Sequence, residues 1–95
     1  MHRWTYREEE LCCKEYFKTY VEERIPLPLS DFVRRLALTL PDIPESSLRM
    51  KVQNIKQLSI EAGIADSLQS KPLSNCSQQN RRAFFATYST YGLFA

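Results

Sequence analysis

Five prolines, Pro26, Pro28, Pro41, Pro44 and Pro72, cut this 95-residue chain into stretches that must each fold without a proline inside. Proline has no N–H to donate and cannot continue a helix or a central strand. Between the breaks, apolar residues recur at three- and four-residue spacing, as in helices with one buried face. Glycine occurs only twice, at Gly63 and Gly92. The tight turns of a β-sandwich, and loops that cradle phosphates, need more than that. The expected fold is therefore all-α, a compact bundle of about four helices forming one domain over residues 1–95. A chain of this length buries about 60–65% of its unfolded surface, enough for one core and not two.

The first helix is expected over about 5–23. Thr5 and Glu8 have capping-box spacing, and Glu8, Glu9 and Glu10 complement the helix dipole in the first turn. Cys12, Tyr16 and Tyr20 form its stripe, widened by Leu11, Cys13, Phe17 and Val21. A second helix over about 31–40 is capped by Ser30 and buries Phe32, Val33, Leu36, Ala37 and Leu40. Pro41-Asp42-Ile43-Pro44 makes a short turn. A third helix, about 46–60, is capped by Ser46 or Ser47 and ends near Gly63. It buries Leu48, Val52 and Ile55, with Leu58 more peripheral. Residues 62–76 lack periodicity and read as a loop, with a short turn at 64–68. Ser77 caps a fourth helix, about 78–90, with Phe84, Phe85 and Tyr88 inward.

The inventory argues against catalysis. The only histidine is His2, beside the terminus, so no nucleophile has a positioned base. The acids of the first helix read as dipole complement and solvated surface. Cys12, Cys13 and Cys76 match no zinc spacing and read as small hydrophobes in a reducing cytoplasm. No metal and no cofactor is expected. The charged N-terminus carries no signal peptide, and no apolar run approaches the roughly 18 residues of a membrane span. A cytoplasmic protein that acts by binding is the expectation.

The sharpest functional feature is the pair of helices over 31–40 and 46–60. A short Pro-bounded turn joins an apolar helix to one with a polar outer face, the layout of a helix-turn-helix whose second helix enters the major groove. That face carries Arg49, Met50, Gln53, Asn54 and Gln57, the expected base-reading residues. Arg pairs bidentately with guanine, Asn and Gln with adenine, and Met50 could pack on a thymine methyl. Arg34, Arg35, Lys51, Lys56, Arg81 and Arg82 are the expected phosphate contacts. From Ser46 to Ile60 there is no acid, so the Glu–Lys pairs of an ordinary solvated helix are missing. A merely solvated face remains the competing account. Trp4, Tyr16, Phe17 and Tyr20 read as core rather than as a base-stacking platform, which usually lies on a sheet.

Trp4-Thr5 and the acidic turn after it resemble the opening of Myb/SANT-like helical domains. A second resemblance rests on Ser46-Ser47-Leu48-Arg49-Met50-Lys51-Val52-Gln53-Asn54-Ile55 and on Leu73-Ser74-Asn75-Cys76-Ser77 with Arg82-Ala83-Phe84. These runs resemble small helical domains found ahead of HNH-type and other restriction-related nucleases of bacteria and mobile elements, over roughly residues 4 to 88. The resemblance implies a DNA-binding or target-sensing module normally fused to an effector, with Ser47–Asn54 facing duplex DNA. No nuclease domain follows in this chain, which would make it an excised domain or a module that works alone. The alternative is a protein-interaction module, such as a phage-borne anti-defence inhibitor or an adaptor on a nucleic-acid-handling complex. Its support is the acidic first helix and the tail Tyr88-Ser89-Thr90-Tyr91-Gly92-Leu93-Phe94, apolar surface for a partner or for a homodimer.

Overall fold

A computed structural model describes residues 2–91. Four α-helices follow in order: α1 (Tyr6–Tyr16), α2 (Leu29–Thr39), α3 (Glu45–Glu61) and α4 (Gln78–Tyr91). The described residues contain no strand. The radius of gyration is 12.0 Å, matching the roughly 12 Å of a compact domain of this length. α1 opens on the expected capping box. Thr5 Oγ1 accepts from the Glu8 N–H at 3.2 Å, and Glu8 Oε1 accepts from the Thr5 N–H at 3.0 Å. α1 then continues as a π-helical stretch, Phe17–Glu22, where the expectation was one regular helix. The wider winding is visible in the Glu23 N–H, which reaches back five residues to the Lys18 carbonyl. Arg24, in the left-handed region at φ 53°, then turns the chain away towards α2.

Both middle helices start one or two residues earlier than expected, because prolines take the cap position. Pro28 and Pro44 are extended, at φ −58° ψ 147° and φ −57° ψ 142°. Each offers its carbonyl to the first turn: Pro28 to the Asp31 and Phe32 N–H groups, Pro44 to those of Ser47 and Leu48. A cap needs no N–H of its own in the ladder, so proline fits there. The expected serine caps are thereby displaced into the helices, and neither α2 nor α3 has a side-chain cap. α3 ends as expected at Gly63, where the Ile64 N–H meets the Ser59 carbonyl and the Gly63 N–H meets that of Ile60. Gly63 has φ +70°, and a Cβ there would touch nothing within 4 Å. Gly63→Ala is therefore expected to cost about 1 kcal/mol through backbone strain alone. Urea denaturation checks this, and a loss several times larger would require a clash that the structure lacks.

The core joins the α1 stripe (Cys12, Cys13, Tyr16, Phe17, Tyr20) to Phe32, Val33 and Leu36 of α2, to α3, and to Ala83 and Phe84 of α4. Tyr20 packs on Phe32 with ring centroids 5.0 Å apart, and Phe17 on Phe84 at 5.2 Å. The α3 stripe is Leu48, Val52, Ile55 and Leu58, all fully buried, so Leu58 is central rather than peripheral. On α4 the buried positions are Asn80, Ala83, Phe84 and Thr87. This i, i+3, i+4, i+7 stripe turns Phe85 outward, against expectation, while Phe84 is inward as expected. Cys12 and Cys13 are free thiols in the core, and burial pushes Cys12 up to about 12 and raises Cys13 well above the ordinary thiol value.

Three helices run the same way. Gln79, at the start of α4, bonds Glu9 near the start of α1, and Tyr91 at its far end reaches the Lys14 carbonyl. Lys51, in the first half of α3, pairs with Glu9, while Ser59 and Tyr16 share Asp66 near the other end. The N-termini of α1, α3 and α4 thus gather at one end of the bundle. α2 and α3 pack together across the connection 40–44, as the expected helix pair requires. Among the described residues no helix is long and apolar enough to cross a membrane.

Candidate nucleic-acid interface

The expected outer face of α3 is only partly open. Arg49 and Met50 are exposed, Met50 at 44%. Gln53 is half-buried, and Gln57 donates to Glu61 Oε2 at 2.8 Å. Asn54 is not on the surface. Its Nδ2 donates to the Leu73 carbonyl at 2.7 Å and to Asn75 Oδ1 at 3.2 Å. The aperiodic segment 62–77 causes this, because it lies along α3, with the Leu73 N–H on the Gln53 carbonyl at 3.0 Å. It forms no turn at 64–68. The acid-free character of the helix also ends at its tips, since Glu45 and Glu61 belong to it.

Two expected phosphate contacts are committed elsewhere. Lys51 is buried, with Nζ 2.5 Å from Glu9 Oε1 and 4.8 Å from the Trp4 ring centroid. Glu9, expected in solvent, is fully buried and also accepts from Gln79 Nε2. Gln79 in turn donates to the Trp4 carbonyl at 2.9 Å. Lys56 Nζ sits 2.8 Å from Asp66 Oδ1, a carboxylate almost without exposure. An ammonium spent on a buried carboxylate cannot be released to a phosphate without stranding its partner. Arg34 and Arg81 form only exposed pairs, with Asp31 and Glu61 respectively, each at 2.9 Å. Such pairs contribute little and are readily exchanged for a phosphate. Arg35 and Arg82 are exposed.

What stays available clusters at the N-terminal end of α3. Arg49 Nη2 donates to Ser30 Oγ at 2.8 Å, joining α3 to α2. Around this bond a groove of about 450 Å³ is lined by Ser30, Arg34, Ser46 and Arg49, with Val33 and Glu45. Ser46 also lines a second groove, of about 400 Å³, on the other side of the α3 terminus. That second groove is also lined by Met50, Lys51 and Asn54, which were expected as site residues, by Ser47 of the stretch expected to face DNA, and by His2, Trp4, Asn75 and Ser77, which were not expected there. Trp4, expected in the core, is half-buried at its wall, whereas Tyr16, Phe17 and Tyr20 are core residues as expected. Tyr88 and Tyr91 are half-buried with their rings against Phe17, and Gly92, Leu93 and Phe94 lie outside the described residues. No protein-family model, curated protein or solved structure matches this chain.

Proposed function

We propose that this protein is a non-catalytic DNA-binding module that meets a duplex with the N-terminal half of α3 and the neighbouring face of α2. The observation that carries this is the convergence of Arg34 and Arg49 on one groove beside the open start of α3. Helix N-termini favour anions, and no side chain caps the α3 terminus. Arg49 and Gln53 are the proposed base contacts; Arg34, Arg35 and, from α4, Arg82 are proposed phosphate contacts. Lys51, Lys56 and Asn54 have no part in this surface, and Gln57 and Arg81 are secondary to it.

Three phosphate contacts imply a salt slope near −2.7, so affinity for random duplex DNA should fall about 40-fold between about 50 and 200 mM salt. Arg34→Ala should flatten that slope by about one contact, and Arg49→Ala should weaken sequence preference. Fluorescence anisotropy reads both, and absence of duplex binding at low salt would refute the proposal. A protein-interaction role draws its own support from Leu38, which stands 85% exposed on α2, and from exposed Ile60 and Phe85. A light-scattering mass above the monomer, with no DNA affinity, is the result that would favour it.

A further inference from the structure

The second groove lies where the N-termini of α1, α3 and α4 meet, and its chemistry differs from that of the groove beside it. Its apolar wall is Trp4 and Met50, and its polar groups are the hydroxyls of Ser46, Ser47 and Ser77, the side-chain amides of Asn54 and Asn75, and the His2 ring and Lys51 ammonium, which are paired with Glu8 and Glu9. No residue lining it is acidic. The neighbouring groove contains Glu45, and another on α1 contains Glu10. The Ser46 and Ser47 hydroxyls make no hydrogen bond among the described residues, and Asn75 uses only its Oδ1, as an acceptor from Asn54. Free donors and acceptors beside an indole and a thioether suit a flat heterocycle with a hydrogen-bonding edge. The volume of about 400 Å³ falls in the range of small-ligand sites. Ser46 is shared with the groove that holds Arg34 and Arg49, so DNA held by Arg34 at a phosphate and by Arg49 at a base edge would bring a neighbouring base to this mouth.

We infer that the Trp4–Met50–Asn75 groove receives a single unstacked nucleobase from the DNA held by α2 and α3. The inference rests on the DNA-binding proposal and adds a substrate form to it: a duplex in which one base is already free or easily freed. An intact pair must be broken and unstacked first, and a mismatch lowers that cost.

The test is a titration of the protein with two duplexes of the same sequence, one fully paired and one with a central mismatch. Trp4 is the only tryptophan, so its emission reports directly on the groove. The expected result is about ten-fold tighter binding of the mismatched duplex, the mismatch sparing part of the unpairing cost. Trp4 quenching should accompany it, and Asn75→Ala and Met50→Ala should each erase the preference. Circular dichroism establishes that both variants are folded. Equal affinities with unchanged Trp4 emission would overturn the inference and leave the duplex reading standing. If no duplex binds, a short single strand decides the matter. Saturable Trp4 quenching by it supports the groove and ends the duplex proposal, and no quenching overturns both.

Discussion

Replacing Lys51 by methionine should destabilise the protein by about 3–5 kcal/mol, the cost of stranding a buried charge by removing its partner. Glu9 is fully buried on α1, and its nearest cation is the Lys51 ammonium at 2.5 Å. Gln79 supplies one further donor, and nothing replaces the lost positive charge. The cluster joins α1, α3 and α4, together with the carbonyl of Trp4, so the loss is shared by all three parallel helices. For a domain of this size it corresponds to a fall in Tm of roughly 15–25 °C. The double variant Glu9→Gln, Lys51→Met should recover most of the stability, since a neutral amide can still accept from Gln79 and no buried charge remains. Thermal and urea unfolding of the two single variants and the double variant form a mutant cycle. A cost below about 1 kcal/mol for Lys51→Met, the size of an exposed pair, would show that the pair does not hold the bundle together.

That pair also shows what the amino-acid pattern reveals and what it hides. Helix extents and caps built from neighbours three or four residues apart were legible: the Thr5–Glu8 box, the Gly63 terminus, Ser77 at the start of α4, and the Leu48–Val52–Ile55 stripe. The Ser77 hydroxyl accepts from the Asn80 N–H at 3.0 Å, a bond encoded within four residues. Lys51 was misassigned to solvent because of its charge, although its spacing pointed inward. It lies three residues after Leu48 and four before Ile55, as Glu9 lies three and four before Cys12 and Cys13. Charges at core spacing on two helices are the mark of a buried pair, but only the fold brings together residues 42 positions apart. Asn54 and Lys56 were hidden for a different reason. The segment that covers them, 62–77, has neither helical nor strand period, so no pattern shows that it lies along α3. The Trp4 groove is assembled from three helix N-termini distant in sequence and has no local signature at all.

Asp66 pins that segment, and its loss should be the second large effect. Its side chain is almost wholly buried and gathers four donors: Lys56 Nζ at 2.8 Å, Ser59 Oγ at 2.7 Å, Tyr16 Oη at 3.0 Å and the Leu68 N–H at 3.0 Å. Burial alone would raise its pKa, but the hydrogen bonds from Lys56, Ser59, Tyr16 and the Leu68 backbone outweigh it and hold the carboxyl below its ordinary value. A carboxylate depressed on folding contributes stability that is complete above the unfolded value of about 4 and declines as pH falls through the folded one. Asp66→Ala should therefore cost about 3 kcal/mol at pH 7, by stranding Lys56 and unsatisfying Tyr16 and Ser59. Asp66→Asn, which keeps an acceptor but not the charge, should cost less. Urea denaturation across pH separates the contributions: the gap between wild type and Asp66→Asn should close as pH drops below about 4, the range in which the wild-type carboxylate takes up its proton. A gap independent of pH would mean that shape, and not charge, carries the anchor. Because the same segment leads to Asn75, Asp66→Asn should also loosen the Trp4 groove. Its effect on mismatch preference should then exceed its effect on binding to paired DNA.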